Sequence, residues 1–186
     1  MGGEEKELSR GEQLRKKLLY QKKNGYDRLA SGEEVAMERY CEDYKKFLNA
    51  CKTERECVDQ TVALARKAGF RPFERGMAVQ PGDKFYRVNR GKAVMLAVIG
   101  QKPLDAGVNI GASHMDSPRL DLKQNPLYES SELAYFKTHY YGGIWKYQWV
   151  TIPLELHGVV ALKDGRQIPV AIGGSEPDPL FTISDL

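Results

Sequence analysis

The sequence has few of the residues that build disulfide frameworks and metal sites, because its 186 residues include only three cysteines and three histidines. Cys41, Cys51 and Cys57 are odd in number and lack C-x-x-C spacing, which argues against both a disulfide framework and a thiolate zinc site. We therefore expect three reduced thiols, as is usual for cytoplasmic proteins.

Long apolar runs and a strong net charge are also missing. The most apolar stretches, residues 93–100 and 150–162, are short or broken by polar residues, whereas a membrane span needs about 20 apolar residues. The N-terminus, Met-Gly-Gly-Glu-Glu-Lys, has no apolar segment typical of a secretory signal. Lys and Arg number 28 against 25 Asp and Glu, and this balance does not indicate nucleic acid or a membrane surface as a partner. We expect a globular, cytoplasmic protein.

The hydrophobic pattern divides the chain into three parts. Residues 1–24 are highly charged and have few apolar positions, which predicts a flexible N-terminal arm or a frayed helix. Residues 25–125 combine helical patterns with buried strands, as in an α/β domain, and residues 126–186 have an almost purely β pattern. The fold class predicted is therefore α/β, followed by part of a β-rich domain. Because so few strands and helices make an incomplete sheet, we expect the chain to be part of a longer protein.

Two helices are predicted in the α/β part. Ser31 is placed to cap a helix over about residues 33–50, whose apolar residues recur at helical spacing. Thr53-Glu-Arg-Glu56 has the spacing of a capping box, and Gly69 follows where a helix C-cap favours glycine. A second helix is therefore predicted over about residues 54–68.

Two hairpins are predicted from turn residues between apolar segments. Arg90-Gly91 separates residues 85–89 from residues 93–99, and the continuous apolar run of the latter predicts a strand buried on both faces. Asp164-Gly165 separates a long β pattern, residues 148–162, from residues 168–172.

The chemistry is concentrated in residues 111–123, where the sequence reads GASHMDSPRLDLK. His114 follows the apolar Val108-Asn-Ile110 and is predicted to lie at the end of a strand. Side chains two positions apart on a strand point to the same face, so Asp116 is placed beside His114. A metal-binding imidazole commonly gives its second N–H to a carboxylate, which fixes the tautomer and raises its basicity as a ligand. The alternative is a polar pair without a metal, since H-x-D is frequent by chance.

Other catalytic patterns have less support. The sequence contains no H-E-x-x-H zinc helix and no phosphate-binding loop, and residues 111–115 fail the G-x-S-x-G pattern at their last position. His139 and His157 are predicted to be isolated from acidic partners. Both are therefore expected to be structural or solvent-facing.

Three stretches carry a resemblance to a known family: Pro81–Tyr86 with the strand after it, Ser113–Pro118 and Tyr141–Trp145. On these residues the chain resembles the N-terminal portion of the aspartyl aminopeptidase family of dinuclear zinc metallopeptidases, over most of residues 35–186. Residues 149–154 depart from the pattern of many members, so the resemblance is to a bacterial subgroup of these aminopeptidases.

The resemblance implies the start of a zinc-exopeptidase catalytic domain, followed by part of an inserted β-rich oligomerisation domain. It implies that His114 is a ligand of one zinc ion and that Asp116 serves catalysis by orienting this histidine. It further implies two zinc ions in the full-length enzyme and a homo-oligomer, a dodecamer. The substrates implied are peptides, whose N-terminal residue is removed by hydrolysis with a metal-activated water. The other zinc ligands and the general base would lie in later chain, so this portion alone is expected to be inactive.

Two other functions fit the same residues. The chain could be a non-catalytic, truncated paralogue that acts as a self-association module, because the remaining zinc ligands and the base are absent from it. It could also be part of a related metallohydrolase that acts on acylated amino acids, since H-x-D at a strand end suits that chemistry as well.

Overall fold

The computed structural model describes residues 9–20 and 22–184. The helices are α1 (Arg10–Leu18), α2 (Glu33–Asn49), α3 (Glu54–Lys67) and α4 (Lys146–Trp149). The strands are β1 (Arg71–Pro72), β2 (Lys84–Asn89), β3 (Ala93–Val98), β4 (Arg119–Ser130), β5 (Leu133–Tyr141), β6 (Leu156–Ala161) and β7 (Gln167–Ile172). The chain divides into two compact units between Lys45 and Lys46. Of the predicted N-terminal arm, residues 1–8 and 21 lie outside the described residues.

The strands of the described residues form three small sheets. β1, β2 and β3 are neighbours in that order, with β1 parallel to β2 and β3 antiparallel to it. β4 pairs with β5, and β6 pairs with β7, both antiparallel. This mixture of helices and sheets confirms the predicted α/β class. None of the described helices is long and apolar enough to cross a membrane.

The helices begin and end close to the predicted residues. At the start of α3, the Glu56 N–H donates to Thr53 Oγ1 at 3.3 Å and the Thr53 N–H donates to the Glu56 carboxylate at 2.8 Å, which forms the predicted capping box. Gly69 follows the helix with φ +84°, the left-handed conformation that glycine adopts without steric cost. Local sequence signals therefore position the first turn of α3. This turn supports the candidate functional site.

The core lies between α3 and the sheet of β1–β3. Val58 and Ala65 of α3 are buried, with 1% and 4% of their surface exposed, as are Phe85 and Tyr86 of β2, with 2% and 5%. The Nε of Arg66 donates to the Tyr86 hydroxyl at 2.9 Å, so the polar end of the buried tyrosine is satisfied. This core attaches α3 to the sheet.

Strands β2 and β3 form the predicted hairpin. Its turn residues, Arg90 and Gly91, have φ of 53° and 66°, and the Lys92 N–H donates to the Asn89 carbonyl at 3.1 Å, which closes the turn. The predicted burial of the second strand on both faces is wrong. Met95 and Leu96 point to opposite faces of β3 and are 63% and 48% exposed, so the described residues leave both faces of this strand partly uncovered.

The strand expected at residues 108–110 is not formed. Residues 107–118 lie in a connection without regular structure, and β4 begins directly after Pro118. The predicted position of His114 at the end of a strand is therefore wrong, and the histidine lies in the connection that leads into β4. The apolar pattern alone does not make a strand, which also needs a partner for its backbone groups, and residues 108–110 pair with no strand in the described part of the chain.

Strands β4 and β5 form a long hairpin around Ser131 and Glu132, both with positive φ. β4 continues past residue 125, and its pairing with β5 is irregular between Leu122 and Leu127. The predicted domain boundary near residue 125 falls at this irregularity and stays a prediction.

The predicted hairpin at Asp164-Gly165 is present between β6 and β7. The Gly165 N–H donates to the Leu162 carbonyl at 3.0 Å and closes the turn. The β pattern predicted from residue 148 is only partly correct, because residues 146–149 form the short helix α4 and β6 begins at Leu156.

The cysteines are free thiols. Burial, followed by the neighbouring Cys57 thiol, raises the pKa of Cys51 to about 12. Cys51 therefore keeps its proton at neutral pH and is a poor nucleophile.

Candidate metal centre at His114

His114 and Asp116 are in direct contact. The Nδ1 of His114 lies 3.0 Å from Oδ1 of Asp116 and 2.9 Å from the Asp116 carbonyl oxygen. Because both partners are acceptors, Nδ1 is the nitrogen that donates, and Nε2 is the nitrogen that can offer a lone pair to a metal. The His114 side chain is 83% exposed, and no described residue forms a hydrogen bond with Nε2. This nitrogen is accessible to a metal ion.

Asp116 is held on its second oxygen by Tyr141. The Tyr141 hydroxyl donates to Oδ2 of Asp116 at 2.8 Å, and the Asp116 side chain is 31% exposed. The hydrogen bond from Tyr141, together with the one from His114, keeps the pKa of Asp116 below its usual value. The same bond raises the pKa of Tyr141, so the phenol stays protonated. The carboxylate is therefore ionised and fixed at both oxygens.

Tyr141 is in turn held by Arg119, which lies opposite it in the β4–β5 hairpin. The Arg119 guanidinium carbon lies 4.1 Å from the centre of the Tyr141 ring. Arg119 also donates through Nε to Asp121 at 2.8 Å, and its Nη1 lies 3.4 Å from Glu54 in the first turn of α3. The hairpin and the helix thus fix the ring that contacts Asp116.

The donor chemistry of this pair fits a zinc ion. Zinc-binding histidines generally donate their second ring N–H to a carboxylate or a carbonyl, and His114 donates to both kinds of group. Across residues 9–20 and 22–184, no group of three or more His, Cys, Asp or Glu side chains is arranged to hold a metal. The described residues therefore offer one histidine whose surroundings suit a metal ligand, without the further ligands that a complete zinc site needs.

A family comparison identifies the family of the chain. The family described as aminopeptidase I zinc metalloprotease (M18) matches residues 47–186. The chain belongs to the M18 family. The resemblance of the sequence to the N-terminal portion of this family is confirmed.

Relatives of this M18 chain agree along most of its length. A protein named "Probable M18 family aminopeptidase 1" from Clostridium acetobutylicum is 46% identical over 173 residues, which cover 91% of this chain and 37% of the relative. A protein of the same name from Thermotoga maritima is 44% identical over 150 residues, or 81% of this chain and 33% of the relative. The M18 chain thus spans about a third of the length of these relatives.

Solved structures show the same fold. The crystal structure of aminopeptidase I from Borrelia burgdorferi matches with a TM-score of 0.82 and 43% identity, over 88% of this chain and 41% of that one. The crystal structure of aminopeptidase I from Clostridium acetobutylicum matches with a TM-score of 0.77 and 46% identity, over 91% and 38% of the two chains. The M18 chain is thus similar in fold to part of each of these aminopeptidases.

A second charged cluster in the M18 chain was missed by sequence reasoning. His157 of β6 lies between two carboxylates, with Nδ1 at 2.8 Å from Glu56 and Nε2 at 2.7 Å from Glu155. Its side chain is 16% exposed. The prediction that His157 is isolated from acidic partners is therefore wrong. Glu155 lies two positions away on an extended segment, which was a visible signal, but Glu56 lies 101 residues earlier and only the fold brings it near.

The three side chains of the His157 cluster form two salt bridges, because each ring nitrogen faces its own carboxylate. These salt bridges stabilise the fold. Burial alone would lower the pKa of His157, but the hydrogen bonds to Glu56 and Glu155 outweigh it and the pKa is raised above 6.5. Burial likewise opposes the charge of Glu56, yet the bonds from His157 and Thr53 keep its pKa below 4.5. The His157 ring and the Glu56 carboxylate are thus both charged between pH 4.5 and pH 6.5. The cluster connects the first turn of α3 to β6.

We expect this cluster to make stability depend on pH. A raised histidine pKa contributes stability that is complete below the unfolded value of 6.5 and is lost as the pH rises through the folded value. The lowered Glu56 pKa contributes stability that is complete above 4.5 and is lost as the pH falls through its folded value. His157→Gln is expected to lower the free energy of unfolding by about 2 kcal/mol at pH 6 and by clearly less at pH 9.

Urea unfolding of wild type and variant at the two pH values measures this difference. His139→Gln is the control, because His139 is exposed and stacks on Tyr140, and it should change little at either pH. An equal loss at pH 6 and pH 9 for the His157 variant would argue against a charged cluster.

Proposed function

We propose that this chain is the N-terminal section of a zinc-dependent aminopeptidase that removes the N-terminal residue from peptides. In this proposal, the full-length protein extends beyond the 186 residues to the length of the M18 relatives. The observation that carries the proposal is the His114–Asp116 pair, whose engaged Nδ1 and accessible Nε2 prepare a metal ligand in a member of a family described as zinc metalloprotease.

The residues of this chain have distinct roles in the proposal. His114 would hold one of two zinc ions through Nε2, and Asp116 would keep the ring in the required tautomer and orientation. When bound, zinc supplies Lewis acidity, which polarises the peptide carbonyl and lowers the pKa of water. The remaining ligands and the general base would lie in the later part of the full-length protein.

The proposal extends to domains, assembly and location. Residues 25–125 would be the first part of the catalytic domain, and residues 126–186 the first part of a β-rich domain through which the full-length protein forms a homo-oligomer, a dodecamer, in the cytoplasm. Large apolar side chains exposed on β4, β5 and β6 support an interface there. They include Leu127 at 65%, Leu133 at 57% and Val160 at 49% exposure.

Matched substrates test the activity. We expect the zinc-loaded full-length protein to hydrolyse dipeptides with a free α-amine at least about a hundredfold faster than the same dipeptides after N-acetylation, because acetylation removes the charged group that an exopeptidase recognises. Chelation should abolish this activity and added zinc should restore it. Hydrolysis of the acetylated set alone would instead identify a deacylase.

A self-association module without catalysis is the second candidate. It is favoured by the missing ligands in the described residues and by the exposed apolar side chains of the β-rich part. It predicts that the zinc-loaded full-length protein hydrolyses neither substrate set, and that the 186-residue chain forms a discrete oligomer in sedimentation without binding zinc. A monomer or an aggregate in sedimentation would count against it.

A further inference from the structure

We propose that Tyr141 is a positioning residue of the metal centre, which acts by holding Asp116 in the orientation that fixes the His114 ring. This inference rests on the proposed function, since it assumes that His114 binds zinc. Tyr141 belongs to β5 and lies 25 positions after Asp116 in the sequence.

Both oxygens of Asp116 have a hydrogen-bond partner. Oδ1 faces the His114 ring at 3.0 Å, and Oδ2 accepts from the Tyr141 hydroxyl at 2.8 Å. A carboxylate with one partner can rotate about its Cβ–Cγ bond, whereas partners on both oxygens fix its plane. The plane of the carboxylate then sets the direction in which Nδ1 donates, and so the direction of Nε2.

The backbone around the pair is irregular, whereas Tyr141 lies on a strand. His114 and Asp116 lie in the irregular connection at residues 107–118, while Tyr141 is the last residue of β5. The hydrogen bond from Tyr141 therefore joins a side chain of an irregular segment to a regular hairpin. Functional side chains are held more precisely when such partners lie on regular elements.

Tyr141 is itself held in place by Arg119. The Arg119 guanidinium lies over the Tyr141 ring, and Arg119 is paired with Asp121 and Glu54. These contacts restrict the ring, so the hydroxyl points to Asp116.

Close packing after Tyr141 supports the same arrangement. Gly142 has φ +77°, and a Cβ at this position would lie 3.4 Å from the Pro118 Cα. The chain that follows Tyr141 thus passes against the end of the connection that carries Asp116. A side chain at Gly142 would be strained by the backbone conformation, and its Cβ would be in van der Waals contact with Pro118.

Tyr141→Phe tests the inference because it removes the hydroxyl and keeps the ring over which Arg119 lies. In the full-length protein, the variant is expected to weaken zinc binding about 10- to 100-fold, the range usual for partners of a metal-binding histidine. Zinc affinity is measured by competition with a chromogenic chelator. The spectrum of the cobalt-substituted protein adds a readout of ligand geometry that does not depend on activity.

Two further variants separate positioning from general structure. Tyr140→Phe is the matched control, because Tyr140 is the neighbouring tyrosine of β5 and stacks on His139. It should bind zinc like the wild type. Asp116→Asn tests the route: if Tyr141 acts through Asp116, adding Tyr141→Phe to Asp116→Asn should weaken zinc binding little further.

The outcomes distinguish this inference from the proposed function. If His114→Ala removes zinc but Tyr141→Phe binds zinc as tightly as Tyr140→Phe, the role of Tyr141 is overturned and the metal centre stands. A Tyr141→Phe effect that persists in full on Asp116→Asn would also overturn it. If His114→Ala keeps its zinc, the proposed function itself fails.

Discussion

Replacing His114 by alanine in the full-length protein is expected to lower kcat/KM for a free-amine dipeptide by at least about a thousandfold. The substitution removes the imidazole whose Nδ1 is held by Asp116 at 3.0 Å and whose Nε2 is accessible. Loss of one zinc ion removes several kcal/mol of transition-state stabilisation, and each 1.4 kcal/mol corresponds to about tenfold in rate. The effect should appear in kcat, because the metal acts on the reacting bond.

A second histidine provides the control for this result. His139 lies on β5, is exposed and stacks on Tyr140, and it has no place in the proposed centre. His139→Ala should retain kcat/KM within about threefold, a shift of roughly 0.6 kcal/mol in activation free energy. Equal rates for His114→Ala and the wild type would refute the assignment of His114 as a metal ligand.

Phe85→Ala is expected to produce the largest loss of stability, about 3–5 kcal/mol in the free energy of unfolding. Phe85 is 2% exposed and packs edge-on against Phe73, with ring centres 6.0 Å apart. The Arg71 guanidinium lies 4.6 Å from its ring centre on the same sheet. The predicted loss is a large share of the roughly 5–15 kcal/mol that stabilises a typical domain, so the variant should unfold at a clearly lower urea concentration than the wild type.

Urea unfolding followed by circular dichroism measures the effect of Phe85→Ala. Phe136→Ala is the comparison, because Phe136 of β5 is already 41% exposed and contacts Phe181 at 6.2 Å between ring centres. It should lose about 1 kcal/mol, since less of its surface leaves water on folding. If Phe136→Ala destabilises the chain as much as Phe85→Ala does, the core does not lie between α3 and β2.

The parts of the fold predicted correctly are those determined by short sequence signals. The capping box at Thr53 and Glu56 and the glycine at position 69 fixed both ends of α3. The turn residues Arg90-Gly91 and Asp164-Gly165 likewise located two hairpins. Each signal acts within a few residues, so it requires no knowledge of tertiary contacts.

The hairpin of β4 and β5 was not predicted because its turn lacks the usual residues. Ser131 and Glu132 both have positive φ, a conformation that Asn-Gly or Asp-Gly normally provides. The exposure of β3 was missed for a different reason. An apolar run indicates that a strand is to be covered, but the sequence does not state which segment covers it.

In the candidate site, too, the sequence predicted a contact between near neighbours and missed the contacts between distant residues. The contact of His114 with Asp116 was predicted from their spacing on a strand, and the contact is present although that strand is absent. The hydrogen bond from Tyr141 depends on the register of a hairpin, and the pairing of Glu56 with His157 depends on tertiary packing across 101 positions. Neither contact has a signature in the local sequence.

The zinc content of the purified protein tests the central claim most directly. Elemental analysis after gel filtration should be made on the full-length protein and on the 186-residue chain. We predict about two zinc ions per full-length chain and almost none on the 186-residue chain, because His114 would be one ligand of a site that later residues complete. Absence of zinc from both proteins would contradict the account and leave His114 and Asp116 as a hydrogen-bonded surface pair.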